Sequence, residues 1–96
     1  MSVQIVIPRE EIESYVWNYI IKTYGIANLS DKARKEINTA VKVLLSTNKP
    51  IEYARGVCGA FGVLTRECIL NATAKYVAGW LEDFIIRKII EDRVES

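Results

Sequence analysis

The sequence predicts an all-α fold, a small four-helix bundle with a long C-terminal helix and room for an embedded helix-turn-helix. Three observations predict it. Apolar residues recur at i, i+3, i+4 and i+7 along most of the chain, the spacing of one face of an α-helix. Residues that stop helices fall between those stripes, at Gly25, at Pro50 and at Gly59 and Gly62. Half of the residues are apolar and 26% are charged, a balance that folds around a core. Ninety-six residues suit one domain, 1–96.

The elements follow in order. Residues 1–7, Met-Ser-Val-Gln-Ile-Val-Ile, read as an extended arm that packs on the domain or on a second copy. Pro8 opens the first helix, because its missing N–H would be unpaired there anyway, and Glu10, Glu11 and Glu13 favour the positive helix start. Ile12, Tyr15, Val16, Tyr19 and Ile20 form its apolar stripe, and Gly25 ends it just after Tyr24. Ser30 is the expected N-cap of the second helix. Ala33, Ile37, Ala40, Val41, Leu44 and Leu45 are its inner face, and the turn 46–50 closes it near Ser46. A third helix starts near Pro50, with Ile51, Ala54, Val57 and Cys58 as its stripe. Gly56, Gly59 and Gly62 imply either that it ends near Cys58 or that another helix approaches it closely.

Thr65 is the expected N-cap of a last helix running from Arg66 to Val94, with core candidates Ile69, Ala72, Tyr76, Leu81, Phe84 and Ile85. A helix of about 42 Å exceeds what so small a domain covers, so its C-terminal half is expected to project. The longest uncharged apolar run, Gly56 to Leu64, is nine residues, against about 20 for a membrane span. The start, Met1 to Ile7, lacks the basic and long apolar stretches of a signal peptide. Cytoplasmic residence and no membrane partner are therefore expected.

The chain has no histidine, which removes the commonest general base and metal ligand. Cys58 and Cys68 lack a histidine to activate a thiolate. In a mesophile's cytosol they would be buried, reduced fillers; in a hyperthermophile a disulfide is the alternative. Glu10/Glu11, Glu82/Asp83 and Glu91/Asp92 are adjacent pairs that diverge on a helix, although Glu91, Asp92 and Glu95 leave room for adventitious divalent binding. The spacing Gly56-x-x-Gly59-x-x-Gly62 is no dinucleotide fingerprint, which needs a preceding strand, and reads as close helix contact or a flexible joint. No catalytic, cofactor-binding or metal-ligating residue is assigned, no small-molecule substrate is implied, and the chain is not expected to be an enzyme.

Charge and surface apolarity leave two functional readings. Residues 22–66 carry eight Lys or Arg against three Asp or Glu, a net +5, while residues 1–21 and 67–96 each carry −2. In a helix-turn-helix reading, Arg66, Asn71 and Lys75 reach bases or phosphates from the start of the last helix, and Lys42, Lys49 and Arg55 hold the backbone. The plainer reading is a solvated face, stiffened by Asp31–Lys35 and Lys32–Glu36 pairs. Self-association is the leading expectation. The apolar residues Leu81, Phe84, Ile85, Ile86, Ile89, Ile90 and Val94 are spread wider than one face. Trp17, Ile21 and Tyr24 form a second stripe on the first helix, and Trp80 lies beside the last helix's core or at a partner surface. A homodimer through Trp17, Ile21, Tyr24, Trp80, Ile86, Ile90 and Val94 is expected.

The lack of histidine and the Ile/Val/Lys/Glu/Tyr usage, seen from Glu10 to Tyr24 and from Phe84 to Val94, resemble the small all-α proteins of hyperthermophilic, crenarchaeal-type archaea and their viruses. The resemblance is one of style over the whole chain. It implies thermophily and an archaeal source, and no activity or functional residue.

Overall fold

The computed structural model describes residues 6–95, so most of the expected N-terminal arm, residues 1–5, lies outside the described residues. Four helices make up the fold: α1 (Arg9–Tyr24), α2 (Asp31–Leu45), α3 (Lys49–Ala60) and α4 (Arg66–Glu95). No strand occurs among the described residues.

Local chemistry sets each boundary. The Pro8 carbonyl accepts from the Glu11 and Ile12 N–H groups at 3.1 and 3.2 Å, starting α1. Gly25 ends it in the left-handed region, at φ 62°, and the Ile26 N–H reaches back to the Ile21 carbonyl at 3.2 Å. Ser30 Oγ accepts from the Ala33 N–H at 3.2 Å, and Thr65 Oγ1 from the Cys68 N–H at 3.1 Å; both expected N-caps are in place. Helix α3 runs two residues past Cys58. It stops at Gly62, φ 70°, where the Val63 N–H donates to the Cys58 carbonyl at 2.8 Å. Gly56 and Gly59 face open space, so close helix contact is not their purpose.

Helix α4 is a spine of about 45 Å, and the other three helices pack along it. Helix α1 runs parallel to its first half: Glu11 pairs with Arg66, and thirteen residues on, Tyr24 Oη donates to the Ala78 carbonyl at 3.5 Å. The chain then travels to the far end, where Ser30 meets Asp92. Helix α2 returns antiparallel to α4 from there, with Glu36 opposite Lys88. Helix α3 continues in the same direction beside the first half of α4, with Tyr53 beside Tyr76 and Cys58 bonded to Cys68. The molecule is accordingly long, 56 × 22 × 20 Å, with a radius of gyration of 14.6 Å against the 12–13 Å or so of a round domain this size.

This course overturns the expected projection of the C-terminal half of α4. Helix α2 lies along it, Ile85 is wholly buried, and Asp92 is still in contact with Ser30. The core joins Ile12, Val16 and Ile20 of α1 to Ile37 and Val41 of α2, and to Leu70, Ala74, Val77, Ala78 and Ile85 of α4. A smaller cluster, Ala54, Cys58 and Ile69, seals α3 to α4. Ile69 and Ile85 are buried as expected, whereas Ala72, Tyr76, Leu81 and Phe84 are only partly covered.

Candidate interaction face

The α3–α4 hairpin brings the two cysteines together. Cys58 lies in the last turn of α3 and Cys68 in the first turn of α4, with their Cα atoms 6.1 Å apart, and they form a disulfide. The expectation of reduced thiols gives way because antiparallel pairing across a short connection places these two positions opposite each other. As a disulfide, neither sulfur is a nucleophile. Among the described residues no cluster of His, Cys, Asp or Glu is arranged to hold a metal ion. The acidic end is occupied otherwise: Asp92 accepts from Ser30 N and Oγ at 3.2 and 2.5 Å, and Glu91 pairs with Lys88.

The cations singled out for nucleic acid are spread over α2, α3 and α4. Lys42 lies in a groove between α1 and α2 with Glu10, Glu13, Trp17 and Asn38. Arg66 is held by Glu11 of α1. Lys49 and Arg55 are exposed on α3. Asn71 and Lys75 come together, in a groove with Tyr53, Val57 and Ala72. Asp31 pairs with Arg34 instead of Lys35, and Glu36 takes Lys88 of α4 as its nearest ammonium while Lys32 still acts on it from α2.

The interface candidates divide by helix. Trp17, Ile21 and Tyr24 pack partly covered against the protomer's own core. Burial first, and Glu82 second, raise the Tyr24 phenol above its ordinary value, which fits a hydroxyl held against the Ala78 carbonyl. On α4 the picture reverses: Trp80 is 68% exposed, Ile86 41%, Ile90 57% and Val94 79%. At 3.6 residues per turn, Trp80, Ile90 and Val94 lie on the side of α4 away from Ala74, Ala78 and Ile85, and Ile86, about 100° round from Ile85, lies at the edge of that side. Helix α4 thus has two apolar faces, one buried in the protomer and one bare.

At the first end of the bare face an aromatic ladder forms, with the Tyr53 and Tyr76 rings 5.0 Å apart and Tyr76 and Trp80 6.2 Å apart. The sequence reading missed Tyr53, since its place depends on how α3 registers against α4. It also gave no role to Phe61, Val63 and Leu64, which the α3–α4 turn leaves exposed. The apolar character of that turn was the available signal. No helix among the described residues is long and apolar enough to cross a membrane.

In comparison with known proteins, no family model, curated protein or solved structure matches this chain.

Proposed function

We propose that the protein is a non-catalytic interaction module that self-associates through the outer face of α4. One observation carries the reading: Trp80, Ile86, Ile90 and Val94 stand exposed along a helix whose opposite face already forms the core. Large apolar side chains exposed along one helix face, here with Asp83 and Arg87 between them, mark a surface that a partner covers. A chain without histidine, whose two cysteines are bonded to each other, also lacks the commonest general base and a free thiol nucleophile. We place it in the cytoplasm of a hyperthermophile, the intracellular setting in which structural disulfides are common. Light scattering tests the association: a mass near twice 10.9 kDa is expected, and a monomer at every concentration would contradict it.

A second reading, nucleic-acid binding, draws on the groove where Asn71 and Lys75 flank Tyr53 beside the Tyr76–Trp80 ladder. Aromatic faces next to cations suit stacked bases. Helix-turn-helix docking would further require Arg66 to leave Glu11. A gel shift at low salt that Lys75→Ala abolishes would favour this reading, and no retardation would end it.

A further inference from the structure

We propose that two copies pair through α4 antiparallel, about a two-fold axis passing beside residue 85. This rests on the self-association reading and assigns its partner, orientation and register. The outer face of α4 carries Tyr76, Trp80, Asp83, Arg87, Ile90 and Val94. Their spacings are four, three, four, three and four, the alternation of a coiled-coil seam. From Trp80 onward the seam faces away from the protomer, since Ala78, Ile85 and Asp92, the positions opposite it, contact the protomer's own core or α2, while Tyr76 at its first end is half-buried against the core and Tyr53 of α3.

That series of spacings reads the same in both directions. Reversed onto itself, the stripe sets Tyr76 against Val94 of the second copy, Trp80 against its Ile90, and Asp83 against its Arg87. Each contact occurs twice, as a two-fold interface demands. Large aromatic residues meet smaller aliphatic ones, and Ile86 of each copy falls within one turn of the axis. Asp83 and Arg87 are exposed, and among the described residues neither forms an ion pair within the protomer. Antiparallel pairing gives both an opposite charge. A parallel, in-register pair would instead set Asp83 on Asp83 and Arg87 on Arg87. Charge complementarity therefore selects the second copy as occupant and fixes its direction. The acidic end of each α4 is also brought toward the α3 of its partner, within the net-positive segment 22–66.

The test uses the full chain in sedimentation equilibrium. Asp83→Arg and Arg87→Asp each juxtapose like charges and should weaken the dimer at least about tenfold. An equimolar mixture of the two variants restores opposite pairs and should recover dimer mass, which also shows that both are folded. A spin label at Val94→Cys reads direction, because the native cysteines are bonded to each other. Antiparallel helices place the two labelled positions about 27 Å apart along the axis, whereas parallel helices leave them at about the interaxial 10 Å. A wild-type dimer that ignores both charge reversals, or labels at the short distance, overturns this pairing and leaves self-association by another face. A wild type that is monomeric throughout overturns both.

Discussion

Lys88 and Asp92 of α4 hold the start of α2 in place, one turn apart. Lys88 Nζ lies 2.5 Å from Glu36 Oε2, and Asp92 meets the Ser30 N–H and hydroxyl at the N-terminal turn of α2, where negative charge is favoured. The hydrogen bond from Lys88 holds the Glu36 carboxyl below its ordinary 4.5, and the same bond holds the Lys88 ammonium above 10.5. A lowered carboxyl contributes stability above its unfolded value and loses it as pH falls through the folded one. A raised ammonium contributes below its unfolded value and loses it as pH rises through the folded one. The pair is therefore complete across the neutral range. Glu36→Gln should lower Tm slightly at neutral pH, less so in high salt, and not at all well below pH 4.5, as thermal melts at both pH values would show. Gly25 supports a different demand, a left-handed backbone that a Cβ strains even though the space around it is open. Gly25→Ala should cost about 1–2 kcal/mol in denaturant unfolding.

Among the elements, α1 and α2 were legible and α4 only in part. Ile12, Val16 and Ile20 on α1, and Ala33, Ile37 and Val41 on α2, each lie on a single stripe, because each helix buries one face. Their caps, Ser30 and Gly25, act within a few residues and need no tertiary information. Helix α4 defeats that logic. Ile69 and Thr73 turn toward α3 while Leu70, Ala74 and Val77 turn toward α1 and α2, so burial covers two directions and no one stripe stands out. Thr73 is wholly buried with its hydroxyl donating to the Ile69 carbonyl at 2.7 Å, and nothing in its neighbours along the chain announces this. The disulfide likewise depends on the register of α3 against α4. It closes a loop of ten residues, so replacing both cysteines with serine should cost about 2.5–3 kcal/mol, read as a lower urea midpoint with a slope no smaller than the wild type's, since the denatured chain loses its cross-link.

For the whole molecule, the consequence of a helix too long for a round domain was misjudged in form but not in kind. The surplus length does not project beyond the core. The other helices spread along it, and the surplus appears as a second face instead of a free end. The apolar excess at Ile86, Ile90 and Val94 was visible in the sequence, since three helices of these lengths cannot wrap a thirty-residue spine completely. Which of the candidate residues would be bare was not, because Trp17, Ile21 and Tyr24 also form an apolar stripe at helical spacing yet pack inward. The scattered cations show the same dependence, with Lys42 and Lys75 in separate grooves for reasons set by helix order. The most direct measurement is sedimentation equilibrium on the wild type beside Ile90→Lys, with circular dichroism on each. The wild type should run at twice 10.9 kDa and the variant at 10.9 kDa with unchanged helicity; equal masses for the two would contradict the assignment of the outer face of α4 as the place where copies meet.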